Sequence, residues 1–155
     1  MWHKDIIDAE KHSPFGYNST QWDNSRIRHT SVEIATGDVL QLNSTPYEII
    51  AAPGADKIIK IVDGMISLDY NSAAYVLASG VSRLDLVYTG GSNYTHYFDA
   101  NFLKLTADAH QYILFSPGST IEVNKAIDLT CSADPTTGNS PIYIDLWYEI
   151  VDKPF

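Results

Sequence analysis

Ile142-Tyr143-Ile144-Asp145-Leu146-Trp147-Tyr148-Glu149-Ile150-Val151 is the stretch that decides the fold class. Ile142, Ile144, Leu146, Tyr148 and Ile150 fall on one face of an extended chain, and Tyr143, Asp145, Trp147, Glu149 and Val151 on the other. Strict alternation with period 2 is what a strand needs when one face meets a core and the other does not. Upstream, Ile121, Val123, Ile127, Leu129 and Cys131 alternate with polar or small residues, and Asp134-Pro135-Thr136-Thr137-Gly138-Asn139-Ser140-Pro141 has the composition of a surface loop.

Working outward, the pattern predicts strands at 31–36, 38–43, 46–52, 57–69, 82–89, 95–99, 102–106, 110–116, 120–131 and 141–151. Turn formers separate them, among them Thr36-Gly37-Asp38, Pro53-Gly54-Ala55-Asp56, Thr89-Gly90-Gly91-Ser92-Asn93 and Ser116-Pro117-Gly118-Ser119. The run 57–69 is long for one strand, and Gly64 within it predicts a bulge or a bend between sheets. Ser72–Ala78 reads equally as a helical turn or an outer strand. This pattern predicts an all-β protein, a single β-sandwich of jelly-roll type or a related barrel. A chain of 155 residues suits one domain, which buries roughly 70% of its unfolded surface.

Residues 1–30 differ from the rest. They hold two of the three Trp and three of the five His, with no sustained period. Trp2, Phe15, Tyr17 and Trp22 are aromatic anchors without a pattern, accompanied by Arg26 and Arg28. A disordered tail is poorer in aromatics. The segment reads as an extended N-terminal arm, 1–30, ahead of a β-sandwich domain, 31–155. Either it is ordered against a neighbouring surface, or it wraps its own domain. Aromatic and Arg side chains are common interface anchors, so Trp2, Phe15, Tyr17, Trp22, Arg26 and Arg28 are candidate interface residues. Tyr143 and Trp147 join them, because a solvated strand face seldom carries a Trp and a Tyr four apart.

The formal net charge is −9, all of it in residues 31–155, since the arm's four acidic and four basic residues cancel. An acidic body repels phosphate backbones, which argues against nucleic-acid binding. No apolar run is long enough to span a bilayer, and Met1–Asp8 lacks the apolar core of a signal peptide, so the expectation is a protein made in a reducing cytoplasm. The single cysteine, Cys131, sits in a strand pattern as a small core residue.

Catalytic and cofactor signatures are missing: no G-x-S-x-G elbow, phosphate loop, H-E-x-x-H or calcium loop occurs. His96 and Asp99 lie three apart, hence on opposite faces of a strand. Asp108 and His110 share a face but are two ligands, too few for a metal site. The expectation is a non-enzyme without cofactor or metal.

Asn124-Lys125-Ala126-Ile127-Asp128-Leu129-Thr130, the loop Pro135-Thr136-Thr137-Gly138 and the strand Ile142–Val151 resemble the C-terminal end of small tailed-bacteriophage virion proteins. Ile49–Ile59, with Pro53-Gly54-Ala55-Asp56-Lys57 at its centre, is similar to an apolar-P-G-A-G-K-apolar segment of that group. Ser67-Leu68-Asp69-Tyr70 and Ala74-Tyr75 follow in the same order, so the resemblance covers residues 39–151 and leaves out the arm. It implies a capsid decoration (cement) protein: a jelly-roll-like, non-enzymatic homotrimer on the capsid surface of the virion, with the major capsid protein as partner. Two rivals stand beside it. One is a tail-tip or fibre-associated domain that binds host-surface glycan through Tyr-rich loops. The other is a small jelly-roll enzyme, disfavoured because clustered His and carboxylates are absent.

Overall fold

The computed structural model describes residues 27–90, 94–115 and 120–154. Among the described residues nine strands form in chain order: β1 (Arg28–Ile34), β2 (Tyr47–Ile50), β3 (Lys57–Leu68), β4 (Arg83–Tyr88), β5 (Tyr94–Asp99), β6 (Ala109–Tyr112), β7 (Leu114–Phe115), β8 (Ile127–Cys131) and β9 (Ile142–Asp152). A four-residue helix, α1 (Thr36–Val39), follows β1, and a 3-10 helix (Ala100–Lys104) follows β5. Sheet one has the order β1-β9-β3-β6 and sheet two the order β2-β8-β4-β5-β7, with every pairing antiparallel. The chain is all-β, as the alternation predicts.

The alternating residues of β9 build the centre. Ile142, Ile144 and Leu146 are fully buried, and β9 pairs with β3 along nearly its whole length and with β1 from Ile142 to Tyr148. They face Leu84, Leu86, Phe98, Ile127 and Leu129 of sheet two in one continuous core. Tyr88 ties the layers together, since its buried hydroxyl donates to the Ile59 carbonyl at 2.8 Å. A Tyr hydroxyl inside a core has to find such a partner, because leaving it unbonded costs about 1–3 kcal/mol. Cys131 is buried in the same core, and its Sγ donates to the Ala133 carbonyl. Burial is the main cause that pushes this thiol up to about 11. Thiol reagents at neutral pH are therefore expected to leave Cys131 unmodified in the folded protein and to label it fully in denaturant. Rapid labelling of the native chain, read by mass spectrometry, would contradict this placement.

Five expectations need correction. The stretch 110–116 is not one strand: it divides at Ile113 into β6, in sheet one, and β7, in sheet two. Residues 38–43 are not a strand: α1 and the turn after it occupy them, because Val39 and Leu42, three apart, are both fully buried on one helical face. The stretch 102–106 is largely 3-10 helix, with Phe102 and Leu103 buried side by side and Asp99 capping the start through Asn101 N. The strand expected over 120–131 begins only at Ile127. Asn124 upstream takes a left-handed conformation (φ 52°), which breaks the extension and leaves Ile121 64% exposed. Gly64 is not the bulge: the register of β3 against β9 slips between Ile61 and Asp63, at Val62. Gly64 serves close approach instead, since a Cβ there would lie 2.6 Å from Leu146 Cδ2 and 3.3 Å from the Asp145 carbonyl. Ser72–Ala78 resolves into an irregular segment joined to the Pro135–Gly138 loop by one bridge, Val76 to Thr136.

Candidate functional site

Three sequence-predicted interface residues fall among the described residues: Tyr143 and Trp147 on the outward face of sheet one, and Arg28 at a register position of the opposite, inward parity. Trp2, Phe15, Tyr17, Trp22 and Arg26 lie outside the described residues; Arg28 opens β1, paired with Tyr148. Tyr143 and Trp147 stand half-buried on β9, in the middle of the sheet. The Trp147 indole stacks on the His29 imidazole of the neighbouring strand, with ring centroids 4.7 Å apart and planes at 27°. His29 also meets Asp145 at 3.0 Å. Desolvation first, then the charges of Glu33 and Asp69, hold the Tyr143 phenol above its ordinary range. Cross-strand neighbours on β1 and β3 thus cover part of this face, as pairs two residues apart on adjacent strands do in any sheet. At the far end the opposed pairs Lys57–Asp152 and Lys60–Glu149 form exposed ion pairs of 2.7 and 3.3 Å, each worth no more than about 1 kcal/mol.

Between Trp147 and the sheet edge the cover stops. A shallow groove of about 400 Å³ is lined by Ile27, Val62, Asp63, Met65, Tyr112 and Trp147. At the bulge two successive residues, Val62 and Asp63, both line the groove on the outward side, where regular pleating would send one of them inward. Ile27 and Tyr112 are 54% and 73% exposed, unusual for large apolar side chains that neighbour a Trp. Sequence reasoning missed Val62, Met65 and Tyr112, because nothing local says that β6 joins this sheet beside β3.

A second cavity, about 330 Å³, opens between the sheets where β6 no longer covers β3. Ile58, Ile61, Tyr88, Ile121 and Val151 make it mainly apolar, with Lys60, Thr95, His96, Thr120 and Asp152 as its polar lining. Burial holds the His96 imidazole below its ordinary range. Asp99 is engaged in capping and shares no site with His96, so the two residues do not converge. Asp108 accepts from Tyr70 N and His110 bonds Ser67 Oγ, so that pair fastens β6 and the residue before it to β3 and the segment after it. On the outer side of sheet two, Asp85 is 6% exposed; desolvation raises its carboxyl and Arg83, 3.3 Å away, opposes the shift. Among the described residues no three His, Cys, Asp or Glu side chains cluster as metal ligands, and no helix is long and apolar enough to cross a membrane.

The short motifs of the phage resemblance meet each other in space. Asn124 Oδ1 accepts from Gly54 N at 3.1 Å and Asn124 N donates to the Lys57 carbonyl at 2.8 Å, locking Asn124-Lys125-Ala126 to Pro53-Gly54-Ala55-Asp56-Lys57. The Tyr75 hydroxyl donates to the Ser140 carbonyl, and its ring packs on Gly138 of the Pro135–Gly138 loop. Ser67 and Leu68 pair with Tyr143 and Ile142 of the last strand. Each motif is half of a tertiary contact, and none presents a reactive group.

No protein-family model matches the chain, and no curated protein matches it. Among solved structures the fold is similar to a chain of the cyanophage Pam1 capsid asymmetric unit. The two share 10% sequence identity with a TM-score of 0.44, over 80% of this chain and 83% of that one.

Proposed function

We propose that this chain is a non-enzymatic structural protein of a tailed bacteriophage that binds the outer capsid surface as a homotrimer and stabilises the shell. The observation that carries the proposal is the pairing of the resemblance motifs. Segments quoted separately from the sequence, 53–57 with 124–126 and 75 with 138, lie against each other. A chance match of short strings has no reason to fall on positions in mutual contact.

The strand pairing supports the finer fold as well. β1 pairs β9, β2 pairs β8, β3 pairs β6 and β4 pairs β5, with successive pairs alternating between the sheets. Nested antiparallel pairs of this kind are one long hairpin rolled over on itself, which is the jelly roll. β7 is an addition at the edge of sheet two.

A bound decoration protein stabilises a shell by mass action: each copy must leave before the shell opens. Occupancy at one hundred times Kd adds about 2.7 kcal/mol per site. On this reading the arm supplies the attachment. Its charges cancel, so it approaches an acidic surface without the repulsion of the body, and a single anchoring aromatic contributes about 2 kcal/mol, a factor of about thirty in affinity. A chain shortened by residues 1–20 is expected to keep its β-domain, because every strand among the described residues begins at Arg28 or later, and to cosediment with capsids about thirtyfold more weakly. Equal binding of the two chains would remove the arm from the attachment. The copy number per virion tests the location: hundreds support decoration, whereas a handful assigns the protein to the tail tip.

A further inference from the structure

We propose that the groove on the outward face of sheet one is a docking site for an arginine side chain of another protein, whose guanidinium meets Asp63 between the rings of Trp147 and Tyr112. This inference does not rest on the capsid reading.

The strand order sets the parts of the groove side by side. Asp63 on β3 stands directly across from Trp147 on β9, and Met65, two residues on, stands directly across from Tyr112 on β6. A cation held on Asp63 is one strand spacing, about 4.8 Å, from the Trp147 position. Tyr112 is its diagonal neighbour, at about 7–8 Å, a separation that long side chains bridge. Cation–π attraction acts within about 6 Å of a ring centroid, so both rings are in range. His29 stacks on Trp147 from β1, on the other side of β9, and does not line the groove. Ile27, Val62 and Met65 supply apolar surface for the aliphatic stem of an arginine.

Charge decides the occupant. Residues 31–155 carry fifteen acidic and six basic residues, so this body attracts basic partners. On the face itself the acids are unequally matched. His29 meets Asp145 at 3.0 Å, and Lys60 meets Glu149 at 3.3 Å. Asp63 accepts from Gly64 N at 2.8 Å, and no Lys, Arg or His pairs with it among the described residues. Its carboxylate therefore keeps an acceptor oxygen beside an aromatic groove. Arginine suits that combination better than lysine. Its planar, weakly hydrated guanidinium bonds a carboxylate in its plane and stacks a ring against its face. A neutral apolar occupant would instead cover Asp63 without giving it a partner, which costs free energy.

The test uses the full-length protein with isotopically labelled methionine methyl groups, followed by NMR. Met1 and Met65 are its two methionines, and Met65→Leu assigns the signal of the one that lines the groove. N-acetyl-arginine amide is expected to shift the Met65 methyl saturably, with a Kd of about a few millimolar. N-acetyl-citrulline amide, of the same shape without the charge, should bind at least about tenfold more weakly. Asp63→Asn keeps an oxygen to accept from Gly64 N. It should weaken the arginine probe by a similar factor and leave the citrulline probe unchanged. Equal shifts from the two probes overturn the proposal, as does an Asp63→Asn chain that binds the arginine probe as tightly as before. No shift at about ten times the expected Kd overturns it too. A shift given by methyl glucoside but not by the arginine probe also overturns it, and makes the groove a sugar site.

Discussion

Gly138→Ala is expected to destabilise the protein by about 2 to 5 kcal/mol, although it adds one methyl group to a loop. Two effects combine. Gly138 has φ of 91°, in the left-handed half of conformational space that a Cβ disfavours by about 1–2 kcal/mol. That Cβ would also enter the Tyr75 ring, 2.6 Å from Cγ and 2.8 Å from Cε1. Tyr75 is 2% exposed and hydrogen-bonded through its hydroxyl, so it has little room to retreat; overpacking of this kind costs about 1–3 kcal/mol. Denaturant unfolding measures the sum. Combining Gly138→Ala with Tyr75→Leu separates the parts, because only the ring clash is relieved and the two changes should be clearly non-additive. A loss below about 1 kcal/mol for Gly138→Ala would show that the 138–140 loop is not held by Tyr75 in solution. The same contact joins two motifs of the phage resemblance, so the experiment also asks whether those motifs are structural.

Phe98→Ala should cost about 3–5 kcal/mol and leave the attachment surface untouched in whatever remains folded. Phe98 is fully buried on β5, opposite Leu84, and is among the largest side chains in the core. Removing its ring deletes apolar contact area and leaves a cavity between two sheets that cannot close without breaking their hydrogen bonds. The position also discriminates between readings of the segment His96-Tyr97-Phe98-Asp99. If the segment is core strand plus helix cap, Phe98→Ala is far more harmful than Asp99→Asn, which retains an oxygen to accept from Asn101 N. The reverse order, read from unfolding midpoints, would return His96 and Asp99 to consideration as a functional pair.

The sequence read alone determined the class and the strands whose two faces differ in polarity. β9, β3 and β4 lie within a residue or two of where alternation and breakers put them, because period 2 is a local property that survives in any sheet. It also separated an aromatic, electroneutral N-terminal segment from an acidic body. It misread 38–43 and 102–106, where Val39 with Leu42, and Phe102 beside Leu103, satisfy a helical turn better than a strand. Strings of four or five residues do not distinguish the two periods.

Tertiary structure alone decided what the faces meet. That Trp147 stacks on His29, that Asp145 pairs with a residue 116 positions away, and that Val62 and Tyr112 complete a groove beside Ile27 all follow from the order β1-β9-β3-β6. The left-handed turn at Asn124 likewise exists because Gly54 and Lys57 bond it, not because of its own neighbours in the chain. Alternation states that a strand has an inside and an outside. Which strand lies alongside it depends on closing loops of tens of residues, and the free energy that repays such closure comes from side chains far apart in sequence.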